Sequence, residues 1–213
     1  MKTITLPLCA LIIASGFIVG CATKGYKKAA DTASALTKSS ELIAKGNTVI
    51  DASLANLNDL VSNPQPDLRK QFKAFNSSVN DLNATDREIA SEIQKIKSQG
   101  AAYFEKWDQE IARMQNEDIR NRSETRKHEV AGRFGRISRH YDEAQTAFGP
   151  FRSDLHDVQK FLSTDLTSGG LSAIKEFVKK ANTDAVPLKQ SLADLSDEFK
   201  GLGRSVSPTT SAR

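Results

Sequence analysis

Apolar residues recur in alternating steps of four and three between Leu68 and Trp107, and most of the residues between them are polar. Only Asp86 and Gly100 interrupt this pattern. A helix of this kind buries one continuous stripe against a partner along its whole length. Forty residues of helix, at about 1.5 Å per residue, extend ~60 Å. The pattern therefore predicts a long amphipathic helix as the central element of the fold.

Three further segments carry the same rhythm. In the first, 29–61, apolar residues repeat every seven positions from Leu36 to Leu57. Comparable stripes run through 130–162 and 171–202. A seven-residue repeat sustained over this length favours helices that wrap around one another. Each stripe needs a partner, so the four segments are expected to pack together.

Two breaks divide the segments. Pro64 and Pro66 end the first helix, and the Ser-Gly-Gly run at 168–170 ends the third segment. Links this short make consecutive helices antiparallel neighbours. The chain is therefore predicted to be all-α, an elongated antiparallel helical bundle or coiled coil of about four long helices over 29–203. A disordered tail is expected at 204–213.

The path of the chain between the second and third stripes stays open. Residues 115–129 are almost all charged or amide side chains, with no glycine and no proline. They form either the tip of a helical hairpin or an unpaired stretch of one very long helix. Gly149 and Pro150 lie within the third stripe and predict a kink or a turn. If the helix is very long, this pair is the turn itself.

The amino terminus predicts export. A basic start at Lys2 precedes an apolar run from Ile4 to Val19, which is typical of a secretory signal peptide at 1–20. The alternative is an uncleaved membrane helix, but the run is shorter than the ~20 residues that a full span needs. The run ends Ile18-Val19-Gly20-Cys21, which closely resembles the lipobox of bacterial lipoproteins.

That resemblance implies a specific modification of Cys21. The thiol would receive a diacylglyceryl group, the chain would be cut before Cys21, and the new amino group would be acylated. Several acyl chains, each contributing ~0.8 kcal/mol per buried CH₂, anchor a protein stably. Residues 21–28 would form a lipidated tether. Ala22 resembles the sorting class sent to the outer membrane, so the body is expected to face the periplasm.

Composition argues against several kinds of chemistry. The two cysteines are Cys9 and Cys21, so the body can form neither a disulfide nor a thiolate metal site. The three histidines are too scattered for a standard zinc spacing. The sequence carries no activated nucleophile and no phosphate-binding glycine loop, and the acids near Asp108 are expected to form solvated ion pairs rather than a catalytic pair. No enzyme activity, metal or cofactor is predicted.

One segment concentrates positive charge. Residues 113–139 hold eight basic side chains and four acidic ones. Such a surface could bind anionic lipid headgroups, lipopolysaccharide phosphates or an acidic protein, although a solvated helix surface is favoured. Nucleic acid is not an expected partner of an exported chain. The candidate anion-binding residues are Arg120, Arg122, Arg126, Lys127, Arg133, Arg136 and Arg139.

Aromatic residues cluster at Tyr103, Phe104 and Trp107. Phe148 and Phe151 are candidates to meet them across the bundle and form a ligand pocket. Core packing is favoured, because these residues fall on the apolar stripes.

The stretch from Ala101 to Asp108 (AAYFEKWD), together with the lipobox and the helical layout, resembles an uncharacterised family of proteobacterial exported proteins, a domain of unknown function. The resemblance implies a helical exported protein and assigns no functional residues. The favoured function is a lipid-anchored, non-catalytic scaffold, spacer or partner-binding arm, with another envelope protein as partner. The rivals are a binding module for anionic lipid or lipopolysaccharide and a regulator of an envelope enzyme. A homo-oligomer remains open.

Overall fold

The computed structural model describes residues 21–207, with side-chain surroundings from residue 30 onward. The predicted signal peptide at 1–20 and residues 208–213 of the predicted tail lie outside this range. Five helices and no strand are found within it, which confirms the all-α prediction. Their bounds are α1 Cys21–Ser62, α2 Arg69–Ala112, α3 Glu117–Thr164, α4 Ser168–Ala173 and α5 Lys175–Val206.

The four long helices form a closed ring of neighbours. α1 packs most extensively against α5, α5 against α3, and α1 against α2, while α2 and α3 close the ring with a smaller contact. Cross-helix hydrogen bonds show the directions. Ser39 on α1 reaches Glu92 on α2 and Ser53 reaches Ser78, so these helices are antiparallel. The bundle is therefore up-down-up-down, as short links predict.

The predicted stripes form the core. Fully buried side chains come from every long helix, including Ile50 and Leu57 on α1, Phe75 on α2, Phe151 on α3 and Phe199 on α5. Burying apolar area stabilises the fold by about 25 cal/mol per Å². The short helix α4 adds Leu171 at the end of the bundle opposite Cys21.

Polar side chains on α1 and α5 set how these two helices align. Asn58 and Asn182 exchange reciprocal amide hydrogen bonds at 3.0 and 3.1 Å. Ser196 donates to the carbonyl of Ser40 at 3.0 Å, and both serines are buried. A shift of one helix by a turn would break the amide pair between the half-buried asparagines and leave the buried Ser196 hydroxyl without this acceptor, so these bonds favour the observed register.

Several predicted boundaries need correction. α1 begins at Cys21, so the segment 21–28 expected as a tether is helical; it contains no proline that would stop the helix. α3 continues as one helix through Gly149 and Pro150, so the turn considered there is wrong. α5 continues to Val206, past the expected start of the tail at 204. None of the helices described is both long and apolar enough to span a membrane.

Candidate functional site

The hairpin where α2 turns into α3 holds several of the functional features predicted from the sequence, at one end of the bundle. α2 ends at Ala112 and α3 begins at Glu117, so residues 113–116 form the turn. Asn116 caps α3, because its side chain accepts a hydrogen bond from the backbone N–H of Ile119 at 3.1 Å. Glu117 and Asp118 follow in the first turn, where the helix dipole favours acids.

This turn settles the path left open by the sequence. The chain forms a helical hairpin, and a single helix running through 115–129 is excluded. The turn itself lies at 113–116, however, and residues 117–129 are the first part of α3. The signal in the sequence was an asparagine followed by two acids, a typical helix start. The sequence did not reveal this helix start, because the surrounding residues are almost all polar and no apolar stripe marks where the helix begins.

Cys21 lies at the same end of the molecule. Cys21 lies eighteen residues before Ser39 on α1, and Glu110 lies eighteen residues after Glu92 on α2. Ser39 and Glu92 are hydrogen bonded at 2.7 Å, and both helices are continuous over these spans. Antiparallel helices with the same rise keep this register. Cys21, the predicted lipidation site, is therefore level with the last turn of α2.

The hairpin is thinly packed compared with the rest of the bundle. Among residues 101–129, only Ile111 is buried. Trp107 donates its indole N–H to Ser123 at 2.9 Å, and Lys127 contacts Asp108 across the two helices. Polar cross-links thus replace apolar packing here, since α5 ends at Val206, near the level of Arg126, and does not flank the rest of the hairpin.

The aromatic residues form two separate groups. Phe104 packs edge-on against Phe134, with ring centroids 5.3 Å apart, and Tyr103 packs against Trp107 at 5.4 Å. Phe148 and Phe151 pair with each other further along α3, at 6.5 Å. The alternative in which these two meet the first cluster is not found, because the α2–α3 register places Phe134 opposite this part of α2. The favoured core packing of Phe148 and Phe151 is confirmed, since both are buried.

Tyr103 departs from the core-packing interpretation. It is 47% exposed, whereas Phe104 and Trp107 are half-buried. Its partial burial raises the pKa of the phenol, and the nearby Arg126 opposes that shift.

The basic segment does not form one continuous anion-binding face. Arg136 donates to Glu198 on α5 at 2.7 Å, which raises the pKa of the guanidinium. Arg126 binds Glu129 and also donates to the backbone carbonyl of Ser205. These bonds join α3 to α5, or join two residues within α3. They occupy the guanidinium N–H groups that an anionic ligand would need.

The remaining members of the segment point in different directions along α3. Arg139 lies 3.9 Å from Glu143, Arg120 lies 3.8 Å from Glu117, and Lys127 is held by Asp108. The side chain of Arg133 lies against Gly201 on α5. Its Nη1 is 3.0 Å from the position that a Cβ on that glycine would occupy. Arg122 is exposed and makes no ion pair within the described residues. Only the members nearest the turn are available to a ligand at the end of the hairpin.

The acids near Trp107 occupy the positions expected of surface ion pairs. Asp108 pairs with Lys127, and Glu110 pairs with Arg113 at 3.2 Å. In the part of the chain that the structure describes, no group of three His, Cys, Asp or Glu side chains is arranged to hold a metal ion.

A small cavity of about 30 Å³ lies in the middle of the bundle. Its lining includes Gly46, Ala144 and Asp86, and it has the size of one or two water molecules. Asp86, one of the two polar interruptions of the α2 stripe, accepts a hydrogen bond from Gln145 on α3 at 2.9 Å. Arg152 approaches its other oxygen at 4.0 Å. Asp86 is thus satisfied by α3, and the cavity is too small for an organic ligand.

Comparison with known proteins gives one match. The family model described as "Protein of unknown function (DUF2959)" covers residues 21–199, most of the chain. No curated protein and no solved structure matches this sequence.

Proposed function

Because the chain belongs to the DUF2959 family of proteins of unknown function, we propose its function from its own residues: it is a lipid-anchored, non-catalytic protein of the bacterial cell envelope. Its helical bundle serves as a spacer, scaffold or partner-binding arm. The acyl chains are attached at Cys21, the membrane is the outer membrane, and the body faces the periplasm. Ala22 supports this sorting, as it does in enteric-type lipoproteins.

One observation carries the proposal: the lipobox cysteine lies on α1, the same continuous helix that packs into the bundle. A lipid on Cys21 is then joined to a continuous helix of 42 residues, ~63 Å long at about 1.5 Å per residue, and not to a flexible linker. The family match begins at the same residue. An anchor coupled to a rod holds the far end of the rod at a set distance from the membrane, which is the property a spacer needs.

The far end of the rod is the α1–α2 link. Residues 63–68 are exposed apart from half-buried Leu68, and Gln71 ties the link down. Its side chain accepts from the backbone N–H of Gln65 and donates to Asp59 and to the carbonyl of Asn63. A partner held away from the membrane would meet this ordered end.

The anchor is tested by replacing the thiol. Cys21→Ala should abolish labelling by radioactive palmitate and leave the uncut precursor, because sulfur is the atom that accepts the lipid. Cys9→Ala is the matched control, since Cys9 lies within the apolar run and should leave labelling unchanged. Label that persists in Cys21→Ala would contradict the proposal.

The arm is tested by crosslinking in cells. A photoreactive residue at Gln65, at the far end, is compared with one at Asp157 on the side of α3. We expect a defined envelope protein crosslinked from position 65 and not from position 157. Absence of any crosslink from position 65 would overturn the partner-binding role of this end while leaving the anchor intact.

A further inference from the structure

The hairpin at the turn between α2 and α3 exposes a large apolar side chain to solvent. Ile119, in the first turn of α3, is 56% exposed, among the few large apolar residues of the described chain that face solvent. Met114, in the turn, is half-buried beside the buried Ile111. We name residues 111–122 the hairpin apex. The apex therefore presents an aliphatic tip at the extreme end of the bundle.

The register places this tip at the level of the lipid. Trp107 on α2 and Ser123 on α3 are hydrogen bonded, so four residues further along each helix Ile111 and Ile119 are level. Cys21 on α1 is level with Glu110 by the register between α1 and α2. Ile119 and Cys21 thus differ in height by about one residue, ~1.5 Å of helix rise.

Charge at this end suits an anionic surface. The apex holds Arg113, Arg120 and Arg122 against two acids, Glu117 and Asp118. Arg113 in the turn pairs with exposed Glu110 at 3.2 Å, and Arg120 pairs with exposed Glu117 at 3.8 Å. Exposed ion pairs of this kind contribute little to stability, so phosphate can replace the carboxylate.

We propose that the hairpin apex is a second membrane contact. Ile119 enters the boundary between headgroups and acyl chains of the phospholipid leaflet that holds the lipid on Cys21. Arg113, Arg120 and Arg122 bind headgroup phosphates around it, with their aliphatic stems along the apolar boundary. The inference rests on the proposed lipid anchor and deepens it.

Two membrane contacts, at Cys21 and at the hairpin apex, would fix the orientation of the bundle, which one contact would not. A lipid on Cys21 alone leaves the rod free to tilt and to rotate about its attachment. Contact at the apex, on the neighbouring helix pair, holds the bundle axis upright on the membrane and fixes its rotation about that axis. A spacer needs this orientation to hold its far end at a constant height.

The experiment measures depth at single positions. Once processed and acylated, the chain has no free thiol, because Cys9 is removed with the signal and Cys21 is a thioether. Ile119→Cys, Thr125→Cys and Gln65→Cys can each be labelled with bimane in the full acylated protein. The labelled proteins are placed in vesicles of phosphatidylethanolamine and phosphatidylglycerol that carry a spin label on the headgroup.

We expect quenching to fall in the order 119, 125, 65. The position at 119 should be quenched at least about threefold more than the one at 65, because an interfacial group lies within ~5–10 Å of the headgroups. Arg113→Glu combined with Arg120→Glu should reduce quenching at 119 without releasing the protein from the vesicles. Lys73→Glu with Lys160→Glu, away from the apex, is the matched control and should leave it unchanged.

Two failures are distinguishable. Mass spectrometry first establishes whether Cys21 carries acyl chains; their absence would overturn the anchor and the apex contact together. An acylated protein bound to vesicles, with position 119 quenched no more than position 65, would overturn the apex contact alone.

Discussion

The ring of Phe134 on α3 fills the space that a side chain at Gly100 on α2 would need. A Cβ built on Gly100 would lie 2.9 Å from both Cδ1 and Cζ of Phe134, closer than real Cβ contacts. Gly100 interrupts the apolar stripe of α2 for this reason. Its missing side chain lets a large aromatic ring pack where α2 and α3 approach each other.

Gly100→Ala should destabilise the protein. Overpacking costs ~1–3 kcal/mol, offset in part by the ~0.5–1 kcal/mol gained when alanine replaces glycine in a helix. We expect a net loss of about 1 kcal/mol in the free energy of unfolding, measured by urea denaturation. Gly135→Ala is the matched control: nothing lies within 4 Å of its Cβ, so it should stabilise. Equal stability of the two variants would contradict this packing.

The pair Arg136–Glu198 should contribute more than its neighbour Arg139–Glu143. Glu198 has one oxygen 2.7 Å from Arg136 and another that is buried without a hydrogen-bond partner in the described structure. Removing the arginine would leave this carboxylate poorly compensated.

A double-mutant cycle measures the difference. Arg136→Met and Glu198→Gln should show a coupling energy of about 0.5–1.5 kcal/mol. The same cycle on Arg139 and Glu143, which are exposed and 3.9 Å apart, should show less than ~0.5 kcal/mol. Equal couplings would mean that the α3–α5 ion pair is no stronger than a surface pair.

The cap at Asn116 should hold the hairpin apex in place. Asn116→Ala removes the acceptor of the Ile119 N–H and should cost about 1 kcal/mol. Asn116→Asp keeps an acceptor and should retain most of the stability. Amide hydrogen exchange at 117–120 should speed up in the alanine variant alone. Unchanged exchange there would contradict a capping role.

Alkaline pH should weaken the link between α3 and α5 at Lys180. Its ammonium bonds Asp154 on α3 and Asp184 on α5, which raises the pKa of Lys180 from 10.5 to about 12. A pKa raised on folding gives stability that is complete below the unfolded value and lost as pH rises through the folded value. The stability difference between the native protein and Lys180→Met should therefore shrink between about pH 10.5 and 12.

Lys175→Met is the control for this titration. Lys175 is exposed on the same helix and makes no ion pair in the described residues. Its substitution should change stability equally across that pH range. A parallel response of the two variants, followed by urea unfolding at each pH, would show that the carboxylates do not hold Lys180.

The apolar stripes predicted the helices and their buried faces, but they did not predict which residues of different helices meet at the candidate site. Phe75, Ile93, Phe151 and Phe199 were all placed on buried faces from their spacing, and all are buried. Whether Phe148 meets Trp107 could not be decided from the sequence, because spacing within a helix carries no information on which level of another helix a residue meets.

The seven-residue recurrence of apolar side chains was enough to establish long helices and their buried faces, and the prolines marked the break at Pro64. Such features depend on neighbours within a few turns, and local periodicity records them directly. The break expected at 168–170 is wrong by a few residues: it lies at 165–167, and the Ser-Gly-Gly run forms the first turn of α4. Folding alone decided that α1 packs mainly on α5, that Arg136 meets Glu198, and that Ile119 stands level with Cys21. These relationships join residues far apart in the chain, and they follow from how four stripes share one core.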